Sequence, residues 1–278
     1  MRAEPFTDPV AYHAEGPVWS ESWGGLRWVD MLAGDVLSLG ADGSVARRHV
    51  GSIAAALRPR AGGGAVIAIE RGFLLEGPDG ELSALGELWD DPGVRMNDGG
   101  CDPAGRFYCG SMAYDHRPGA GALYRLDPDG TVEVAMRDVT ISNGLEWSPD
   151  GSRAYYNDTA TGEVSALDGD LTARRTFARI AAEDGAPDGL TVDAEGGVWV
   201  ALYGGSAVHR YTPSGALDAV VELPVTKATA CTFGGPDLRT LFITTSREDL
   251  PDDEQPEAGS VFACTPGVAG LPARTFAG

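Results

Sequence analysis

Asp102-Pro103-Ala104-Gly105-Arg106-Phe107-Tyr108-Cys109-Gly110 reads as a tight turn followed by an apolar, aromatic-rich strand. Proline sets φ in advance, the aspartate offers a side-chain acceptor, and the glycine is free to take φ > 0. The same grammar recurs at Ser22-Trp23-Gly24-Gly25-Leu26-Arg27-Trp28-Val29-Asp30 and Arg60-Ala61-Gly62-Gly63-Gly64-Ala65-Val66-Ile67-Ala68. It returns at Ser148-Pro149-Asp150-Gly151-Ser152-Arg153-Ala154-Tyr155-Tyr156, Asp193-Ala194-Glu195-Gly196-Gly197-Val198-Trp199-Val200 and Gly235-Pro236-Asp237-Leu238-Arg239-Thr240-Leu241-Phe242-Ile243. A period of about 40–45 residues is that of a four-stranded propeller blade. Gly121-Ala122-Leu123-Tyr124-Arg125-Leu126 and Ala207-Val208-His209-Arg210-Tyr211 read as third strands, each running into a turn towards a fourth. No amphipathic helix of useful length interrupts the pattern. A two-sheet sandwich, the main competitor, needs no fixed period. The expectation is an all-β, six-bladed β-propeller formed as one domain over residues 1–278.

Composition agrees with many short strands joined by tight turns. The 278 residues include 39 Gly and 18 Pro, scattered along the chain, and 43% are hydrophobic. The formal net charge of −20 repels phosphate backbones and anionic membranes, so neither nucleic acid nor membrane is expected as a partner. The start, Met1-Arg2-Ala3-Glu4-Pro5-Phe6, has no apolar h-region, and no run is long and apolar enough to span a bilayer. Cys101, Cys109, Cys231 and Cys264 form neither a CxxC pair nor a zinc-like cluster with histidine. Reduced thiols and a cytoplasmic location are expected.

In a propeller the first strand of each blade lines the central channel, and matching positions point to the axis at similar height. Counting back five residues from each turn reaches Glu15, Asn97, Asn143, Asp188 and Thr229, with Ala55 in the second blade. Four of the six carry a carboxylate or amide oxygen. The glycines after Glu15, Asn143 and Asp188 are expected to let the chain turn sharply towards the channel. Two buried carboxylates near one axis repel unless they are protonated or bridged by a cation. Glu15, Asn143 and Asp188 therefore form a candidate site for one divalent metal ion; ordered water in a wet channel is the alternative. An all-oxygen set favours a hard ion, Ca²⁺ above all, with Mg²⁺ or Mn²⁺ next and Zn²⁺ or Fe²⁺ also open. Three protein ligands leave positions for water and substrate, as in a catalytic site.

Other constellations are sparse. His13, His49, His116 and His209 show no ligand spacing, and no GxSxG elbow, GxGxxG or Walker loop occurs. His13 lies two residues from Glu15 and shares its face of an extended strand, although a lone histidine is commonly structural. Arg95 and Asn97 also share one face and suit hydroxyl or carboxylate oxygens of a polar ligand. The alternative is that Arg95 only pairs with an acidic neighbour. Trp19, Trp147 and Trp199 are expected to pack between blades.

Glu15-Gly16-Pro17-Val18-Trp19, Arg95-Met96-Asn97-Asp98-Gly99, Ser142-Asn143-Gly144-Leu145 and Pro187-Asp188-Gly189-Leu190 resemble the senescence marker protein/gluconolactonase/luciferin-regenerating-enzyme family, also called the regucalcin family. So do Cys231-Thr232-Phe233-Gly234-Gly235-Pro236-Asp237-Leu238 and Pro256-Glu257-Ala258-Gly259. The likeness covers nearly the whole chain in order. It implies a six-bladed propeller with a single divalent metal on Glu15, Asn143 and Asp188, and substrate hydroxyls on Arg95 and Asn97. It also points to an acidic residue after Gly110-Ser111-Met112, for which Asp115 is the candidate, in a loop that varies among members. Many members hydrolyse sugar lactones, and propeller relatives handle organophosphates or other esters.

The expected function is metal-dependent opening of a sugar lactone, a small-molecule substrate. The metal would polarise the carbonyl, and Asp188, or failing it Asp98, would assist the attacking water. Hydrolysis of another ester or a phosphotriester, and non-catalytic binding of calcium or a metabolite, are the alternatives.

Overall fold

The computed structural model describes residues 1–251 and 253–278. Six four-stranded antiparallel sheets follow one another around a ring. Their innermost strands are Ala14–Ser20, Ala54–Pro59, Val94–Cys101, Ser142–Trp147, Ala186–Val192 and Ala228–Gly234. Each inner strand packs against those of the blades on either side, the sixth against the first. This is a six-bladed β-propeller. Five blades use consecutive strands; the sixth takes its outermost strand from Glu4–Pro5, which pairs with Phe262 and Ala263. Helical structure among the described residues is confined to three-residue 3₁₀ turns, and no helix is long and apolar enough to cross a membrane.

The recurring turn earns its residues. Asp102 Oδ1 accepts the N–H groups of Ala104 and Arg106, both at 2.9 Å, and its Oδ2 takes Arg106 Nε at 2.5 Å. Asp193 repeats this with Glu195 and Gly197, then adds Trp199 Nε1 at 2.9 Å and Arg210 Nε at 2.8 Å. A buried carboxylate so fully satisfied fixes the turn and the start of the second strand together.

Aromatic side chains fill the seams between blades, as expected of Trp19, Trp147 and Trp199. Phe73 meets Phe107 at 5.7 Å between centroids, Tyr108 meets Trp147 at 5.5 Å, Trp199 meets Phe233 at 5.6 Å and Trp19 stacks on Phe242 at 5.9 Å. Each such pair contributes about 0.5–1.5 kcal/mol beyond its area burial.

The register places the site. All six inner strands break step with their partners at one equivalent position: between Glu15 and Val18, Ala54 and Ala56, Met96 and Gly99, Ser142 and Leu145, Pro187 and Leu190, and Ala228 and Ala230. A bulge bends its strand and re-aims a side chain. Glu15, Ala55, Asn97, Asn143, Asp188 and Thr229 all stand at or within these six bulges.

Candidate active site

The inner strands begin at one end of the channel, and a cavity of about 280 Å³ opens there. His13, Glu15, Arg95, Asn97, Asn143 and Asp188 line it, with contributions from Thr159, Tyr203, Lys227 and Glu248. The approach to two of the inner strands is fixed in the same way. Asp30 accepts the N–H groups of Tyr12 and His13 at 3.1 and 3.0 Å, and Asp158 those of Thr140 and Ile141 at 3.0 and 2.9 Å. These carboxylates, each at the end of a second strand, set where Glu15 and Asn143 project.

Glu15 and Asp188 are buried, at 2% and 5% exposure. Burial raises the Glu15 carboxyl well above its ordinary range, and the charges of Asp188 and Asp98 push it further; the Gly16 N–H at 2.9 Å gives only part back. Burial likewise raises Asp188 well above its range, followed by the charge of Asp98, while the Asn143 amide opposes. Asn143 donates through Nδ2 to Thr159 Oγ1 at 2.9 Å, and that hydroxyl donates on to the Pro187 carbonyl at 2.8 Å. The amide is thereby oriented, and its buried Oδ1 has no hydrogen-bond partner among the described residues. Two repelling carboxylates beside an orphaned amide oxygen are a donor set that a hard divalent cation would satisfy. Among the described residues no three His, Cys, Asp or Glu side chains converge as a metal-holding group.

Arg95 lies across the cavity at 8% exposure. Its Nη1 donates to Asn97 Oδ1 at 2.6 Å and to the Met96 carbonyl at 3.0 Å. Asn97 Nδ2 in turn donates to the Ser142 carbonyl at 2.9 Å. Among the described residues Arg95 Nε is buried without a partner, and no carboxylate lies within ion-pair distance of its guanidinium. The guanidinium sits 5.7 Å from the centre of the Tyr114 ring, whose hydroxyl donates to Glu70 at 2.6 Å. Arg95 is thus a fixed guanidinium with unused donors rather than half of an ion pair.

His13 shares the Glu15 side of the cavity. Its Nδ1 is 2.8 Å from Ser246 Oγ, and burial, with the charges of Arg95 and Lys227, holds it down to about 3. It is neutral at neutral pH. Asp98 is also buried, but it accepts the Gly99 N–H at 2.6 Å and is not among the residues that line the cavity. Asp115 stands outside as well. It is exposed, and its carboxylate pairs with Arg117 at 3.2 Å, while Arg117 also reaches Asp91 at 2.9 Å. That turn draws the carboxylate outward, and the loop presents His116 to the cavity instead, at φ +56°.

The glycines beside the site do a different job from the one expected. Only Gly16, at φ +51°, has the backbone freedom inferred for all three. Gly144 and Gly189 are needed for close approach. A Cβ on Gly144 would stand 2.6 Å from Leu190 N, and one on Gly189 2.4 Å from Ala230 Cβ.

The family described as SMP-30/Gluconolactonase/LRE-like region matches residues 13–247. Regucalcin of Xenopus laevis is 37% identical over 284 residues, covering 95% of this chain and 94% of its own length. The putative sugar lactone lactonase YvrE of Bacillus subtilis (strain 168) is 33% identical over 283 residues, covering 98% and 97%. The crystal structure of a calcium-binding protein, regucalcin, from Agrobacterium tumefaciens superimposes with a TM-score of 0.90 at 30% identity, covering 99% of this chain and 96% of that one.

Proposed function

The chain belongs to the SMP-30/gluconolactonase/LRE-like family, and from that premise we propose that it is a metal-dependent lactonase acting on sugar lactones. One observation carries the proposal: a cavity in which two repelling carboxylates and an orphaned amide oxygen face an arginine with free donors. Glu15, Asn143 and Asp188 would hold the metal. Bound there, a divalent cation supplies a Lewis acid for the lactone carbonyl.

The chain's own groups do the rest. Arg95 offers Nε and Nη2 to ring hydroxyls or the ring oxygen. Asn97 holds the guanidinium in place and spans to the fourth blade through Ser142. Asp188, as a ligand, has its lone pairs engaged, which makes it a poor proton acceptor. Calcium is the favoured ion on ligand chemistry, and the calcium-binding relative supports that choice.

Acid release from D-glucono-1,5-lactone and D-xylonolactone, corrected for spontaneous hydrolysis, tests the reading. Turnover is expected to vanish on chelation and to return with one of Ca²⁺, Mg²⁺, Mn²⁺, Zn²⁺ or Fe²⁺. Unchanged turnover in the chelated protein would remove the metal from the mechanism. Calcium binding with no turnover of any lactone would favour a non-catalytic binding propeller.

A further inference from the structure

Besides the two carboxylates of the proposed metal set, a carboxylate from the sixth blade faces the cavity. Glu248 follows that blade's second strand, Thr240–Thr245. Its N–H donates to Ser246 Oγ at 3.0 Å, and the same hydroxyl meets His13 Nδ1 at 2.8 Å. Glu248 Oε2 accepts the Tyr203 hydroxyl at 3.1 Å and stands 3.4 Å from His13 Nδ1. Lys227 donates to the Glu248 carbonyl, not its carboxylate, and lies 5.0 Å from the centre of the Tyr203 ring. Among the described residues no Lys or Arg reaches the carboxylate, Oε1 has no hydrogen-bond partner, and the side chain is 30% exposed. The charge of Glu248 is nevertheless felt at both Asp188 and Arg95. This carboxylate therefore shares the cavity with the proposed metal set and the proposed substrate donor, anchored at one oxygen and free at the other. The neighbouring Asp249 also lines the cavity, but among the described residues no hydrogen bond fixes its side chain.

We propose that Glu248 is the general base that accepts the proton of the attacking water. The inference rests on the lactonase reading. The water oxygen bonds to the carbonyl carbon, the carbonyl π pair moves onto its oxygen, and one water proton passes to the Glu248 carboxylate. Collapse of the tetrahedral adduct breaks the bond between that carbon and the ring oxygen, and the proton moves from Glu248 to the departing oxygen. The product is the open hydroxy acid, which ionises to solvent, and Glu248 is again a carboxylate. Tyr203 acts through Glu248 as a positioning residue, by holding Oε2 so that Oε1 keeps its lone pairs.

Glu248→Gln and Glu248→Ala test this on D-glucono-1,5-lactone and on unsubstituted δ-valerolactone, with the metal that supports the parent. Binding of that metal's chloride is measured by calorimetry and folding by thermal melts. For Glu248→Gln, kcat is expected to fall about 10²-fold or more on both lactones, with KM and metal affinity within about twofold of the parent. Added formate is expected to restore part of the turnover of Glu248→Ala, since a small carboxylate can enter the vacated space. A kcat within about threefold of the parent would overturn the proposal. So would a KM increase confined to gluconolactone, which would make Glu248 a hydroxyl ligand, or a loss of metal binding, which would make it a metal ligand. A parent inert on both lactones would bring down the lactonase reading and this inference with it; an active parent with an unaffected variant would bring down this inference alone.

Discussion

Glu15 and Asp188 each carry a proton more readily in the folded chain than in the unfolded one, because burial and mutual repulsion penalise their charged forms. The sign for stability follows. Above the ordinary carboxylate range the folded state binds more protons than the unfolded state, so stability falls as pH rises. The contribution of these two groups is fully present below about pH 4 and is lost as pH climbs through their raised values. In chelated protein, Glu15→Gln removes one of the two charges while keeping the shape. It is expected to raise stability at pH 8 by about 1–4 kcal/mol, or about 2–4 °C in Tm for each kcal/mol, with little change at pH 4. The same variant is expected to lose metal affinity. Melts of parent and variant at the two pH values, with chelator and with metal, check both halves; a Tm gap that does not widen with pH would contradict the assignment. The sequence names Glu15, Asn97, Asn143 and Asp188 because each is polar at a phased position, and Arg95 because it shares a strand face with Asn97. It misplaces Asp115, since the outward pull of Arg117 depends on a loop turn with no periodic signal.

At the scale of the strand, six bulges at one phase are what turn a pattern into a channel. Counting residues back from the turns locates them, because the hairpin register is fixed by the turn. The role of the following glycine is not readable this way: whether it supplies a positive φ or a missing Cβ depends on the neighbouring blade. Gly189→Ala tests the second case. A methyl group 2.4 Å from Ala230 Cβ and 2.9 Å from the Thr229 carbonyl must separate the fifth and sixth inner strands. The expected cost is about 1–3 kcal/mol in urea unfolding, with metal affinity lowered about tenfold or more as Asp188 shifts. Gly62→Ala, where a Cβ meets nothing within 4 Å, is the neutral control, and equal effects of the two would refute the close-approach account. A second register went unread in the sequence. Residues at or just past the ends of several second strands also reach the cavity, among them Thr159, Tyr203 and Glu248, and Glu70, just past another, accepts the Tyr114 hydroxyl. They follow the strand ends of the same repeat, but their offsets from the turns differ between blades, so no single count reaches them.

Over the whole molecule, the period that reveals the propeller stops at the sixth blade, and the segment after it carries no repeat to read. Residues 265–278 nonetheless cross the end of the channel opposite the cavity and tie down the turns of five blades. Gly270 N–H donates to Leu238 O at 2.8 Å, Ala194 N–H to Ala269 O at 2.9 Å and Arg274 to Ser148 O at 3.0 Å. Ala277 N–H donates to Gly105 O at 2.9 Å, and Ala61 N–H to Phe276 O at 2.8 Å. Phe276, 1% exposed, is the anchor, set in the apolar cluster of the first three blades with Phe107 and Leu126. A ring of blades has one seam per blade, and a strap bonded to the turns of five blades resists the opening of the seams between them. Phe276→Ala is therefore expected to cost about 3–5 kcal/mol, about 2–4 °C in Tm for each. Because the strap and the metal set occupy opposite ends of the channel, metal affinity at a temperature where the variant stays folded is expected to be unchanged. Thermal melts and calorimetry on the one variant read the two ends separately, and a metal affinity that fell with the Tm would mean that the strap sets the inner strands' positions along their whole length.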